Sequence, residues 1–193
     1  MMKTVLAVAL IVALQQSSVV MDNARVRVYR TDAASLAGVD HGPGVIIWID
    51  EKAGDPHTRA VWRDDVADRN GLAPGSIVVV QPKKSAGKPT ANTGSKPGSA
   101  PFVGMSFVPL FENAQVSVLS ARMDVDAREG FHTHGSDTLV VHLSGGEIED
   151  IADGKTVVNR WKRGDVEFEA LGSSHSARNV GRPVDVILVA LKP

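Results

Sequence analysis

The stretch EGFHTHGSDTLV, residues 129–140, contains two histidines one residue apart, preceded by a glycine and followed by an apolar run. Side chains alternate faces along a β-strand, so we expect His132 and His134 to project from the same side, about 6.5–7 Å apart along the backbone. That separation lets two imidazoles bind one metal ion, which needs about three or four protein ligands. Asp137, three residues on, and His175, within GDVEFEALGSSHSARN (residues 164–179), are the candidates for the others.

The composition narrows the kinds of site that this chain can carry. Its 193 residues are 43% hydrophobic and 22% charged, with a formal net charge of −1, which is typical of a globular protein. No basic stripe indicates nucleic-acid binding, and no basic amphipathic stretch indicates a membrane surface. The chain has no cysteine. Disulfides, thiolate nucleophiles and cysteine-bound zinc are therefore excluded, and any metal must be held by nitrogen and oxygen.

The first twenty residues, MMKTVLAVALIVALQQSSVV, predict a secretory signal peptide over residues 1–18. One lysine precedes an apolar run at 5–14 and a polar QQSS follows, which is the order of a signal sequence. Ten helical residues rise only about 15 Å, half the thickness of a bilayer core, so no stable membrane span is expected. The mature protein would be exported, to the periplasm or out of the cell. The alternative is a buried N-terminal helix or strand.

The chain divides at residues 82–101, PKKSAGKPTANTGSKPGSAP, which contain no large apolar residue. Such a segment buries too little to offset its ordering entropy, so it predicts a flexible linker between a first unit at 19–81 and a second at 102–193. In both units, short alternating or β-branched runs punctuated by Gly, Asp and Asn predict an all-β protein, a sandwich or barrel. The predicted strands cover residues 25–30, 45–49, 77–81, 115–124, 138–144, 156–161, 165–169 and 184–191.

The two units are weakly alike, which predicts a duplicated unit. VVMDNARVRVYR (19–30) matches PLFENAQVSVLS (109–120), and SIVVVQPK (76–83) matches DVILVALK (185–192). Between these ends, His41 falls opposite His134 and Trp62 opposite Trp161. The first unit is shorter and lacks the His-x-His pair, so we expect a truncated, degenerate copy without a metal of its own.

Two sets of residues carry a family resemblance: Gly130, His132, His134 and Gly145, and then Gly164, Gly172, His175 and Asn179. They fit, in order, the two motifs of the cupin superfamily, which the region 109–193 resembles. The resemblance implies an antiparallel jelly-roll β-barrel in the second unit, preceded by the cupin-like first unit. The sequence departs from the motifs where Thr138 replaces a glutamate and Ala170 replaces a proline.

The resemblance also implies one divalent metal ion (Fe, Mn, Zn or Ni) inside the barrel. The expected metal ligands are His132, His134, Asp137 and His175, with Asp137 replacing the glutamate that Thr138 does not supply. Asp137 stands one position early, so the alternative is a turn-capping role for its carboxylate and a water as fourth ligand. We expect His142 to be a core histidine whose hydrogen bonds are satisfied.

Two classes of function remain open at this point, because one barrel hosts many functions. The first is a metalloenzyme, an oxygenase, isomerase or lyase acting on a small organic substrate. The second is a module that binds a small ligand or metal as a sensor or store, without turnover. No catalytic acid or base is identified; Glu147, Glu149 and Glu169 qualify by charge alone. By analogy with the family, a homodimer through sheet edges is also expected.

Overall fold

The computed structural model describes residues 17–50, 55–84 and 102–192. These ranges contain thirteen β-strands and two 3-10 helices of three residues each, so no helix in them could cross a membrane. The strands are β1 (Ser18–Asp22), β2 (Val26–Asp32), β3 (Gly44–Trp48), β4 (Ala60–Arg63), β5 (Ser76–Pro82), β6 (Phe102–Glu112), β7 (Val116–Thr133), β8 (Thr138–His142), β9 (Gly146–Ala152), β10 (Lys155–Trp161), β11 (Val166–Glu169), β12 (Ser174–Asn179) and β13 (Val184–Leu191).

The strands form two antiparallel sheets, one from each side of residues 85–101. The first sheet has five strands in the order β1-β2-β5-β3-β4. The second has eight, in the order β10-β9-β12-β7-β13-β8-β11, with β6 paired along β7. The 18-residue strand β7 pairs with β13 through its first half and with β12 through its second half. It thereby joins the two layers of a jelly roll, and the expected all-β cupin-type fold is confirmed.

A single apolar layer holds the two sheets together. Strand β13, with the sequence VDVILVAL, is apolar almost throughout because both of its faces are covered. Ile187 and Val189 face this layer, whereas Val186 and Leu188 face the space inside the second sheet. Strands covered on both faces lose the alternation of polar and apolar residues. Buried side chains of the layer come from the first sheet (Val26, Val28, Val45, Ile47, Val78, Val80) and the second (Val116, Val118, Leu139, Val141, Ile187, Val189, Leu191).

The outer face of the first sheet is filled by its own connecting segments. Leu36, Val39 and Val66 come from these segments and pack on Ile46 and Val79 of the sheet. Burying one such side chain contributes about 1.5–3 kcal/mol. The face that would correspond to a barrel interior is therefore occupied by apolar side chains.

The strand order β1-β2-β5-β3-β4 is the same as the order β6-β7-β13-β8-β11 within the second sheet. The turns agree as well, since the side-chain oxygens of Asn23 and Asn113 each accept from the amides two and three residues on. Strand β4 takes the place of β11, which puts Trp62 where the second sheet has Phe168. The match of Trp62 with Trp161 is thus wrong, because Trp161 ends strand β10 at the far edge.

Two predicted boundaries can be compared with the described residues. The predicted signal peptide, residues 1–18, lies outside them except for Ser17 and Ser18, and Ser18 already belongs to β1. The linker predicted at 82–101 begins later, because Pro82 ends β5 and the amide of Lys83 donates to the carbonyl of Arg25. Its remainder from residue 85 on lies outside the described residues.

Candidate metal centre

Three histidines meet at one end of the space enclosed by the second sheet. His132 lies on β7 directly opposite His175 on the antiparallel strand β12, and His134 follows the end of β7. The amide of His134 donates to the carbonyl of Ser173, and its carbonyl accepts from the amide of Gly172. These two bonds tie the loop after β7 to the turn before β12. The three rings come within 4.7–5.0 Å of one another, centroid to centroid.

The donor atoms fit a shared metal ion. One ring nitrogen from each of the three histidines lies within 4.8 Å of the other two, and Nε2 of His134 is 3.2 Å from Nε2 of His175. Two nitrogens that bind one ion at about 2.0–2.1 Å in tetrahedral or octahedral geometry stand about 3.0–3.4 Å apart. The sequence therefore identified three side chains that come together, and the nitrogens of His134 and His175 already stand at the distance of two ligands of one ion.

The second nitrogen of two of the three rings is oriented by an acceptor. Nδ1 of His132 donates to the carbonyl of Gly130 at 3.0 Å, and Nδ1 of His175 lies 2.9 Å from Oδ1 of Asp150. Nδ1 of His134 lies 3.6 Å from Oε2 of Glu169. The bonds of His132 and His175 direct their Nε2 atoms toward the cavity, which is the arrangement around metal-binding histidines, whereas the 3.6 Å contact of His134 is too long for a hydrogen bond.

A carboxylate does reach the histidines, although from an unexpected strand. Glu169 on β11 lies 3.8 Å from Nε2 of His175 and is paired in register with Thr138 on β8. Thr138 is the position at which Asp137 was expected to compensate for a missing glutamate, and Glu169 stands directly across the strand pair from it. Glu129 also approaches, with Oε1 at 3.4 Å from Nε2 of His132.

Asp137 has a different role from the predicted one. Its Oδ1 accepts from the amide of Leu171, and its Oδ2 lies 2.5 Å from Nε of Arg25 on the first sheet. Oδ2 is thus engaged in a partly buried ion pair between the two sheets and Oδ1 in a hydrogen bond to the backbone, and among the described residues Asp137 is not part of the histidine group. The physical reason is the ion pair with Arg25, which directs the carboxylate toward the first sheet.

The electrostatics of the histidine group are strongly coupled. Burial, together with the charges of the neighbouring His175 and His132, lowers the pKa of His134 to about 4. Burial also disfavours the cation of His175, but the bond to Asp150 and nearby carboxylates raise its pKa to about 9. The raised pKa favours the protonated form of His175 at neutral pH.

The carboxyl groups around the histidines favour their neutral forms. Burial raises the pKa of Glu169 to about 8 and that of Glu167 to about 7, and it raises the pKa of Glu129. Glu167 makes no hydrogen bond or ion pair with any residue that the structure describes, and its side chain lines the same space. Carboxyl groups with raised pKa values in a cleft are characteristic of sites that bind or transform ligands.

A cavity of about 510 Å³ extends from the histidines along the inside of the second sheet. At its other end Trp161 stacks on His142, with ring centroids 4.7 Å apart and planes 16° from parallel. His142 is fully buried, as expected, but neither ring nitrogen has a hydrogen-bond partner among the described residues. The expectation that its hydrogen bonds are satisfied is therefore wrong, and burial lowers its pKa to about 4.

Both sequence motifs thus meet inside an antiparallel jelly roll, at three convergent histidines. This chain has a cupin fold. No family model matches the sequence, and no curated protein matches it. Asn179, the last residue of the second motif, is buried at the end of β12. Its side-chain amide donates to the carbonyls of Met123, Asp124 and Arg182 and so stabilises the turn after β12.

Several solved structures share this fold at low sequence identity. A cupin domain from Bordetella pertussis is 21% identical, with 47% of this chain and 95% of that chain covered and a TM-score of 0.44. A cupin domain of a transcriptional regulator from Enterobacter cloacae is 26% identical, with 47% and 99% covered and a TM-score of 0.39. A protein from Thermotoga maritima, described as a predicted oxalate decarboxylase, is 22% identical, with 52% and 92% covered and a TM-score of 0.40.

The remaining sequence candidates fall outside the cavity. His41 is exposed and lies 2.8 Å from Asp65, which raises its pKa. Glu147 and Glu149 on β9 do not line the cavity, whereas Glu129, Asp150 and Glu167 do, and the sequence analysis did not select these three. One signal could have found Glu167: it shares the parity of Glu169 on a strand adjoining the second motif.

Proposed function

We propose that this cupin binds one divalent transition-metal ion through His132, His134, His175 and Glu169, and transforms a small organic molecule in the adjoining cavity. The observation that carries the proposal is that three histidine nitrogens converge, with the carboxylate of Glu169 beside them, at one end of a cavity inside the second sheet. Three imidazoles with one carboxylate suit Fe, Mn, Zn or Ni better than Ca or Mg, which prefer oxygen ligands.

The neighbouring residues give the site its chemistry. A bound divalent ion would polarise an oxygen atom of the substrate as a Lewis acid. Asp150 would hold His175 in the metal-binding tautomer. Glu167 lines the cavity without a partner in the described part of the chain, so it is the group placed to accept or return a proton of a bound molecule. This arrangement serves an oxygenase, an isomerase or a lyase.

The metal proposal is tested by elemental analysis of the purified protein beside His132→Ala, His175→Ala and Glu169→Gln variants. We expect stoichiometric metal in the parent protein, loss in both histidine variants, and weakened binding in Glu169→Gln. Glu149→Gln, on the same barrel but outside the cavity, is the matched control and should retain the parent stoichiometry. A folded parent protein that takes up no divalent metal would refute the proposal.

The second candidate function is a ligand-binding or metal-storing module without turnover. Thr138 at the glutamate position favours it, because a changed ligand set is a mark of altered chemistry. The two functions separate in a metal-loaded sample: a Glu167→Gln variant that retains ligand and metal but loses turnover supports the enzyme. Ligand and metal binding with no conversion of any bound compound supports the module.

The organisation of the chain carries three further proposals. We infer that residues 1–18 direct export, which mass spectrometry of the processed N-terminus in an expressing cell tests. We also infer that the first sheet is a degenerate copy of the second, on the basis of the shared strand order and the paired asparagine turns. A homodimer would use the free edge of β6, which exposes Phe102, Val103 and Phe107, and sedimentation equilibrium tests it.

A further inference from the structure

The cavity beyond the histidines is lined mainly by hydrocarbon. Aromatic and thioether side chains occupy much of its wall, among them Phe102, Met105, Phe107, Met123 and Trp161. Its volume of about 510 Å³ lies within the range of about 300–1,000 Å³ that is usual for small-molecule sites. Burying the apolar surface of a ligand against such a wall is favourable, whereas the wall offers the ligand few hydrogen bonds.

Apart from the histidines, the ionisable side chains of the wall are all carboxyl groups. Glu129, Asp150, Glu167 and Glu169 line the cavity, and no lysine or arginine is among its lining residues in the described ranges. Beyond the histidines, an anionic ligand would therefore lose its hydration without a cationic side chain to pair with, and that loss is costly in an apolar site.

The end of the cavity away from the histidines is flat and aromatic. Strand β8 runs from Thr138, opposite Glu169, to His142, a distance of about 13 Å for four residues. There the indole of Trp161 covers the imidazole of His142 in a parallel stack. A stacked pair presents a planar face, against which another ring can pack with favourable geometry.

From this wall we infer that the site takes an uncharged, largely apolar ring compound. The ring packs against Trp161, and a hydroxyl or carbonyl oxygen points to the three histidines. The inference deepens the proposed function, on which it rests for the position of that oxygen. The same wall disfavours an anionic group on the part of the ligand that lies beyond the histidines.

The test compares two probes of similar size and different charge, 2-naphthol and 2-naphthoate, by isothermal titration calorimetry of the full-length protein at pH 7. We expect 2-naphthol to bind at least tenfold more tightly than 2-naphthoate, with or without Zn²⁺. Equal binding of the two probes, or tighter binding of 2-naphthoate, would overturn the inference.

Two variants link the preference to the wall. Glu167→Lys should raise the affinity for 2-naphthoate at least tenfold, while Glu149→Lys, outside the cavity, should leave it unchanged. Trp161→Leu should lower the affinity for 2-naphthol at least fivefold. Circular dichroism and the midpoint of urea unfolding would check that this variant is folded. Unchanged affinities in both cavity variants would place the probes elsewhere and overturn the inference.

Failure of the two proposals can be told apart. If the protein binds no metal but prefers 2-naphthol in the metal-free state, the metal proposal fails and the ligand class stands. If it binds metal stoichiometrically and shows no preference between the probes, the ligand class fails and the metal centre stands.

Discussion

Replacing Asp137 by alanine removes the acceptor for two groups at the boundary between the sheets. The guanidinium of Arg25 loses its counterion, and the amide of Leu171 loses its hydrogen bond. Removal of one partner from a buried ion pair costs about 3–5 kcal/mol, and an unpaired buried amide costs about 1–3 kcal/mol. The side chains of Arg25 and Asp137 are 19% and 11% exposed, so water partly screens the charge of Arg25 that remains in the variant. We expect a total loss of about 3 kcal/mol.

For a chain of this length, such a loss lowers the melting temperature by about 6–12 °C. The assay is urea unfolding of the metal-free protein followed by tryptophan fluorescence, together with metal analysis of the loaded protein. Asp137→Ala should lose stability and retain stoichiometric metal. Asp124→Ala is the control, because its pair with Arg122 is exposed and exposed pairs contribute less than about 1 kcal/mol. An Asp137→Ala protein of parent stability that no longer binds metal would refute the reasoning and restore Asp137 as a ligand.

Three other substitutions test separate parts of the structure. Asp150→Asn should weaken metal binding about 10- to 100-fold, because the acceptor that orients His175 is weaker; a chelator competition titration measures this, and parent affinity would contradict it. For His142→Phe, the free energy of unfolding relative to the parent protein should rise by about 2 kcal/mol when the pH is lowered from 6.5 to 5. The reason is that the pKa of His142 in the folded protein is lowered to about 4 from 6.5, so the parent protein loses stability as the pH falls below 6.5 and the variant does not. Urea unfolding at both pH values measures the difference in stability, and a difference that does not change with pH would contradict the prediction. Leu36→Ala, in the fully buried filling of the first sheet, should cost about 2–5 kcal/mol in thermal unfolding without changing the metal content, and a loss of metal would show that the two sheets are coupled at the site.

The strands of the core were predictable because their periodicity is local. The prediction at 184–191 has the same limits as β13, and those at 77–81 and 156–161 differ by about one residue from β5 and β10. Strands β1, β4, β6, β9 and β12 were missed, and β6 and β12 show why. β6 is exposed along most of its length and contains Gly104 and Pro109, and β12 (SHSARN) has no apolar alternation. Their conformation is set by pairing with β7, which no local pattern records.

The histidines of the site were predictable for the same reason, since strand parity and motif spacing fix their directions. The carboxylate was not predictable, because its choice depends on contacts between distant residues. Asp137 is drawn away by Arg25, 112 positions earlier. Glu169 is brought in by its register with Thr138, 31 positions earlier. Predicting which carboxylate lies beside the histidines required the pairing of β8 with β11 and the packing of one sheet on the other.

The apolar layer between the sheets bears on how this protein could be shortened. The first sheet covers seven buried side chains of the second, from Val116 on β7 to Leu191 on β13. A fragment beginning near residue 102 would expose these side chains as one apolar surface, and such surfaces promote aggregation or association with another subunit. The N-terminal half contributes no histidine to the pocket, but it covers an apolar face of the half that does and so keeps that face from solvent.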